Sequence, residues 1–360
     1  MHIKKIKINN YRNYNEAEIS FHEKMNILYG DNAQGKTNIL ESIYICATTK
    51  SHQGSKDKEI IKMGCDEAHV KMYIEKEGLE HYIDLHLKKN KPKGIAVNGI
   101  PIKRSAELMG IINIVLFSPE DLNIIKNGPS ERRRFIDMEL CQLSRIYLDN
   151  LYRYSKVLNQ RNHLLKQISY NESLKETLSV WDEQLIKYGT EIIKERKEFI
   201  EQINNISAEI HKKLTGEKEF LNIQYEPNVD AEEFADKLYK NYNRDIYYQI
   251  THTGPHRDDI KFISNDMDLR TYGSQGQKRT SALSLKMAEI EIVEKTIGEK
   301  PILLLDDVLS ELDRNRQNYL LENIKGIQTI ITCTGLEEFV KNGININQTF
   351  EIVQGKINGN

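Results

Sequence analysis

Residues 30–37 read Gly30-Asp31-Asn32-Ala33-Gln34-Gly35-Lys36-Thr37, which fills every fixed position of the pattern G-x-x-x-x-G-K-[ST]. The context is the one this pattern needs. Met25-Asn26-Ile27-Leu28-Tyr29 before it reads as a short buried strand, and Ile39, Leu40, Ile43 and Tyr44 after it fall on one face of a helix. In a strand–loop–helix setting the glycines let backbone N–H groups curl around phosphates, and the helix start adds a favourable dipole. Lys36 would reach the β- and γ-phosphates, and the Thr37 hydroxyl would ligate Mg²⁺.

A phosphate loop needs a metal-holding carboxylate, and the apolar run Ile302-Leu303-Leu304-Leu305 ends in Asp306-Asp307. Asp306, at the end of a buried strand, can hold Mg²⁺ and its waters; Asp307 can polarise an attacking water. From position 36 to position 306 there are 270 residues, too many for a compact GTPase or a transporter ATPase subunit. A large insertion must therefore separate two halves of one site.

The insertion is legible. From Glu131 to Leu214 the pattern is helical, without proline and with Gly189 as its one breaker. Leu178, Trp181, Leu185, Tyr188, Ile192, Phe199, Ile203, Ile206 and Ile210 step mostly by three and four, with Arg196 as a polar occupant of the seam. Leu151, Leu158 and Leu165 give the first arm heptad spacing, and Ser169-Tyr170-Asn171-Glu172-Ser173 marks a reversal. This predicts an antiparallel helical hairpin whose second arm has about 40 residues, roughly 60 Å. Residues 68–103 alternate apolar and polar between turn signals, as in an antiparallel sheet.

A second anion-binding loop is written at Gly273-Ser274-Gln275-Gly276-Gln277-Lys278-Arg279, just before another helix. It does not repeat the G-K-[ST] ending that gives the first loop its lysine and its metal ligand. The economical reading is that Ser274, Gln275, Gly276 and Gln277 face the γ-phosphate of a nucleotide held by a second copy of the chain. Ser310-Glu311-Leu312-Asp313, after the aspartate pair, supports this.

These elements resemble the ATP-binding-cassette heads of chromosome-maintenance ATPases, and within that group the bacterial RecF family. Further stretches that carry the resemblance are Tyr11-Arg12-Asn13-Tyr14, Ser118-Pro119-Glu120-Asp121-Leu122, Gly128-Pro129 before Arg132-Arg133-Arg134, and Gly254-Pro255-His256-Arg257-Asp258-Asp259. The resemblance implies an α/β P-loop NTPase of the ABC-ATPase-head type with an inserted α-helical lobe. The head would comprise residues 1–120 and 250–360, and the lobe residues 121–249. It further implies an ATP-dependent DNA-binding protein of recombinational repair and replication-fork maintenance. Such a protein forms an ATP-dependent homodimer and acts with RecR and RecO to load RecA. Carried over, residues Gly30 to Thr37, Asn38 and Arg12 contact ATP, while Thr37 and Asp306 hold Mg²⁺. Lys36 and Asp307 serve hydrolysis, and Ser274 with its neighbours caps the partner's nucleotide.

Two departures bear on turnover. Many such ATPases have Glu where this chain has Asp307, and a His where it has Thr332-Cys333-Thr334. A shorter carboxylate positions water less well, which predicts slow, DNA-stimulated hydrolysis acting as a switch. Gln53, in His52-Gln53-Gly54-Ser55, replaces a basic residue associated with the family.

Composition narrows the rest. Lys plus Arg number 51 and Asp plus Glu 53, for a net charge of −2, so DNA contact must use a local patch. Between Lys126 and Lys166 nine basic residues meet four acidic ones, and Arg132, Arg133, Arg134, Arg145 and Arg153 are the candidate phosphate contacts. Nothing reads as a base-recognition motif, so shape and backbone recognition are expected. His252, His256, Asp258 and Asp259 are interrupted by Gly254-Pro255 and read as scaffold rather than a metal cluster. The four scattered cysteines read as reduced thiols. No run approaches a membrane span, and a cytoplasmic, nucleoid-associated protein is expected. Three rivals remain: a transporter-type ATPase subunit, which would have a short spacing; a structural chromosome-organising head, which would need hundreds of coiled-coil residues; and a pseudo-ATPase that binds DNA without nucleotide, against which the intact Lys36, Thr37 and Asp306 argue.

Overall fold

The computed structural model describes residues 1–336, 339 and 346–359. Its backbone divides into two units, Met1–Asp121 with Glu289–Asn360, and Leu122–Ala288.

Apolar runs short enough to be strands and flanked by turns dominate the first unit. Leu303, Leu304 and Leu305 are fully buried, each contributing about 1.5–3 kcal/mol. Their strand, Ile302–Asp306, lies in a six-stranded sheet between Thr329–Cys333 and Ile114–Phe117. On the other side of Thr329–Cys333 come Met25–Tyr29, Gln348–Val353 and Lys356–Gly359. Every pairing is parallel except the last. Parallel strands end on the same side, and the loop after Met25–Tyr29 and the aspartates after Leu305 therefore emerge together. This is where open α/β sheets bind ligands.

A second sheet is wholly antiparallel, in the order Tyr14–Ser20, His2–Tyr11, Glu67–Lys76, Leu79–Lys88, Lys91–Val97, Ile100–Pro101. Glu77-Gly78 and Asn98-Gly99 turn with positive φ at both residues, the twist that tight hairpins require. Ile6, Ile8, Val70, Met72 and Leu85 of this sheet form one cluster with Leu304 and Ile330 of the other. Ile39, Leu40 and Ile43 of helix Lys36–Thr48 join the same cluster.

In the second unit the helical hairpin has arms Arg145–Ile168 and Leu178–Thr215, joined by a 3₁₀ turn at Glu172–Thr177. The second arm runs 38 residues. It passes through Gly189 unbroken, and the glycine serves packing: a Cβ there would sit 2.4 Å from Phe234 and 2.9 Å from Tyr154. The first arm buries Tyr147, Tyr154, Arg161 and Ile168 more deeply than the expected Leu151 and Leu158. Arg161 is fully buried and donates to Asp182 (2.6 Å), Asp245 (2.7 Å) and Thr251 (2.9 Å).

The division falls later than residue 250. Strand Leu221–Glu226 pairs over six rungs with Asp259–Ser264, so residues 250–264 belong with the helical lobe. Helix Gln275–Ile297 also starts in that unit.

Candidate active site

The phosphate loop is shaped by backbone that side chains rarely adopt: Gly30 has φ +145° and Gly35 +114°. A Cβ on Gly30 would lie 2.4 Å from the Ile352 carbonyl oxygen, and one on Gly35 2.5 Å from Asn13 Nδ2. Both positions require glycine sterically as well as conformationally. Asn13 Nδ2 donates to the Gln34 carbonyl (2.9 Å), Asn38 Nδ2 to Asn13 Oδ1 (2.9 Å), and the Tyr14 hydroxyl to the Gly35 carbonyl (3.1 Å). The Gln354 N–H donates to Gln34 Oε1 (2.5 Å). Asn13 and Tyr14 are thus positioning residues, visible in sequence only as part of the Tyr11–Tyr14 turn.

Lys36, 4% exposed, donates from Nζ to the Gly30 carbonyl (2.7 Å) and the Asp31 carbonyl (2.9 Å). An ammonium carries three N–H groups, so these two bonds leave one further N–H to donate. Beside the loop opens a cleft of about 800 Å³, bounded by Tyr29, Gly30, Asp31, Gln34, Ile352 and Gln354.

Thr37 Oγ1 donates to Asp306 Oδ1 at 2.8 Å across 269 positions of sequence. Burial raises the Asp306 pKa, against the lowering effect of hydrogen bonds from Thr332 and Thr37. Thr332, the register partner of Asp306 on the neighbouring strand, donates to Asp306 Oδ1 (2.7 Å) and accepts from the Asp307 N–H (2.9 Å). A hydroxyl and a carboxylate are hard oxygen donors, the set that suits Mg²⁺. Asp307 has φ +51°, unusual for a residue with a side chain, and among the described residues nothing hydrogen-bonds its carboxylate. Thr332 was missed in sequence. Its signal was its place: it closes Thr329-Ile330-Ile331-Thr332 as Asp306 closes Leu303-Leu304-Leu305-Asp306.

Arg12, expected against the nucleotide, grips the helix that follows the phosphate loop. Its Nε and Nη2 donate to the two oxygens of Glu41 (2.7 and 2.6 Å), Nη2 to Ser55 (2.8 Å), and Nη1 to the Glu59 carbonyl (3.3 Å). Glu41 is fully buried; burial raises its pKa, but the bonds from Arg12 and Ser51 overcome that and hold it below the usual carboxylate range. The geometry gives Arg12 the task of fastening the strand His2–Tyr11 to the phosphate-loop helix.

In the second unit, Ser274, Gln275 and Gly276 are exposed at the start of helix Gln275–Ile297. The Ser274 N–H donates to Gln277 Oε1 (2.9 Å) and Ser274 Oγ accepts from the Gln277 N–H (3.2 Å), a reciprocal cap.

The basic arm needs correction. Arg132 is 2% exposed, donating to both oxygens of Asp259 (2.5 and 3.0 Å) and to the Asn127 carbonyl (2.7 Å). A guanidinium so enclosed cannot meet a DNA phosphate. Arg133 is half-buried and donates to the Asp258 carbonyl (2.7 Å). Arg134 and Arg145 are exposed, while Arg153, also exposed, pairs with Asp149 (2.6 Å) and lies over the Tyr188 ring. The triplet reads as charge in the sequence, but burial and internal partners turn Arg132 and part of Arg133 to structure.

Gly254–Asp259 is scaffold held by the hairpin. Arg196 donates to Asp258 (2.8 Å), Asp137 (2.8 Å), the Tyr147 hydroxyl (2.9 Å) and the Pro255 carbonyl (2.6 Å). His256 donates from Nε2 to the Thr251 carbonyl (3.0 Å), which leaves Nδ1 to accept from Tyr154 (2.7 Å).

No helix among the described residues is long and apolar enough to cross a membrane. The family model described as "RecF/RecN/SMC N terminal domain" matches residues 2–357. The chain is 61% identical over 357 residues to the "DNA replication and repair protein RecF" of Lachnoclostridium phytofermentans, covering 99% of each. It superposes on a solved "Structure of the recombination mediator protein RecF-ATP in RecFOR pathway" with a TM-score of 0.92 and 37% identity, over 100% of this chain and 99% of that one. A Smc head domain from Pyrococcus furiosus shares the fold alone, with a TM-score of 0.58 and 19% identity over 100% of this chain and 96% of that one. Full-length agreement in sequence and in fold, with a phosphate loop and a metal-type carboxylate brought together as such heads require, makes this chain a member of the RecF family of DNA replication and repair proteins.

Proposed function

We propose that the chain binds ATP with Mg²⁺ in the phosphate loop, dimerises on it, and in that state clamps DNA during recombinational repair. The observation that carries the reading is the Thr37–Asp306 hydrogen bond, which joins the loop to the carboxylate from the far end of the sequence. The RecF-ATP relative supports ATP as the nucleotide. Lys36 neutralises the phosphates, Thr37 and Asp306 hold the cation, and Asp307 orients the attacking water. Mg²⁺, when bound, offsets charge on the β- and γ-phosphates. Asp307, shorter than the glutamate of related heads, favours slow hydrolysis that DNA accelerates, so that ATP sets the lifetime of the dimer.

The exposed Ser274–Gly276 segment supports a role in trans, where a second copy's γ-phosphate meets the capped helix start. Arg134, Arg145 and Arg153 are the remaining candidates for DNA phosphates, with recognition of backbone and shape. RecR and RecO are the proposed partners in RecA loading, in the cytoplasm at the nucleoid.

Sedimentation of wild type, Lys36→Met and Ser274→Arg with ATP and Mg²⁺, with and without gapped duplex, tests the reading. Dimers are expected in wild type alone, with tighter DNA binding in that state. Ser274→Arg should bind ATP as wild type does yet remain monomeric; loss of ATP binding by that variant would overturn the trans assignment. Dimers in Lys36→Met would overturn nucleotide control.

A further inference from the structure

The antiparallel sheet of the first unit carries a cluster that the nucleotide chemistry does not use. Along the strand Glu67–Lys76, Ala68, Val70 and Met72 point into the core, which turns Glu67, His69 and Lys71 outward. His69 stands directly opposite His86 on the strand Leu79–Lys88. Their rings stack at 3.8 Å between centroids, 25° from parallel. The Glu67 carboxylate faces both: Oε2 lies 2.9 Å from His86 Nε2, and Oε1 lies 4.0 Å from His69 Nε2.

We propose that Glu67, His69 and His86 form a binding site for a divalent first-row transition-metal ion of the Zn²⁺ kind. One donor atom from each residue lies within 4.8 Å of the others. A tetrahedral ion with bonds near 2.0–2.1 Å wants its ligands about 3.3 Å apart, a closure that half-exposed side chains make by small rotations. Two imidazoles and a carboxylate suit Zn²⁺, Co²⁺, Ni²⁺ or Cu²⁺ rather than Mg²⁺, which separates this cluster from the oxygen pair Thr37 and Asp306.

The surroundings leave space for the ion. His86 pairs on its other side with Gly94, which places no side chain over the ring. Lys71, two rungs along from His69, has its ammonium 4.2 Å from the Tyr82 ring centroid and 3.9 Å from Asp84, leaning away from the histidine rung. Bound there, the ion would link two neighbouring strands while keeping a coordination position for water or an incoming ligand.

Calorimetric titration of the full chain with Zn²⁺, in excess Mg²⁺ to occupy oxygen sites, tests the assignment. The expected result is one Zn²⁺ per chain with a Kd on the order of micromolar, and a thermal midpoint that rises with Zn²⁺. His69→Gln, His86→Gln and Glu67→Gln should each weaken binding by about tenfold or more, whereas Cys65→Ser should not. Their metal-free midpoints should stay close to that of wild type, since all three side chains lie on the outer, partly exposed face of the sheet. Binding that survives unchanged in the His69→Gln/His86→Gln double variant, or that needs millimolar Zn²⁺ in wild type, would overturn the proposal.

Discussion

Thr332→Val keeps the shape of the side chain and removes its hydroxyl. Two hydrogen bonds go with it: the one donated to Asp306 (2.7 Å) and the one accepted from the Asp307 N–H (2.9 Å). A bond to a buried carboxylate contributes about 1.5–3 kcal/mol, and a stranded buried N–H costs about 1–3 kcal/mol. The two share one group and do not simply add, so a loss of about 3–5 kcal/mol is expected in urea denaturation followed by circular dichroism. Asp306 must be ionised to hold a cation, and its pKa already lies above the usual carboxylate value. Removing a donor to the ionised form raises it further, so the acid limb of the activity profile moves to higher pH. Asp307 loses its anchor as well, and turnover should fall by about tenfold to a hundredfold. Thr332→Ser retains the hydroxyl and should cost only about 1 kcal/mol for the lost methyl. A valine variant with wild-type urea midpoint and wild-type turnover would refute the idea that this hydroxyl ties the two aspartates together.

Two further outcomes concern the helical lobe. Arg161→Met leaves Asp182 and Asp245 buried without their cation, and should destabilise the lobe by about 3–5 kcal/mol. Trp181, the one tryptophan of the sequence, packs against the hairpin cluster beside Asp182, so its fluorescence reads this transition directly. A shift under about 1 kcal/mol would contradict the buried-pair account. Burial lowers the His256 pKa to about 4 from an ordinary 6.5. Between those values the unfolded chain binds a proton that the folded one does not, so stability is full above pH 6.5 and declines as pH falls towards 4. The slope amounts to about 3 kcal/mol over that window, and His256→Asn should flatten it in lobe unfolding monitored at Trp181.

What the sequence disclosed was whatever local pattern could encode. The loop Gly30–Thr37, the apolar strand before Asp306 and the hairpin reversal near Ser169 each declare themselves within a dozen residues. Partnership across the chain does not. Arg161 and Tyr154 occupy buried seam positions that an apolar-only reading skips in favour of Leu151 and Leu158, because nothing near them announces Asp245 or His256. Arg132 counts as a free charge until Asp259 is known to face it. The strands Leu221–Glu226 and Asp259–Ser264 are too short and too far apart to predict as partners, which is why the division was expected near residue 250. Thr332 shares this fate: a threonine ending a core strand acquires meaning only from the aspartate beside it.

The strand that leads into the phosphate loop has consequences for how the polypeptide is made. Met25–Tyr29 is flanked on both edges by segments from the last tenth of the chain, Thr329–Cys333 and Gln348–Val353. A ribosome adding about 5–20 residues per second needs roughly 15–60 s to travel from the first of these strands to the last. Throughout that interval an apolar ribbon with both hydrogen-bonding edges bare waits for its neighbours. Nascent chains of this protein should therefore depend on chaperone protection until translation is almost finished, and truncation before Gln348 should yield aggregates rather than a weakened head.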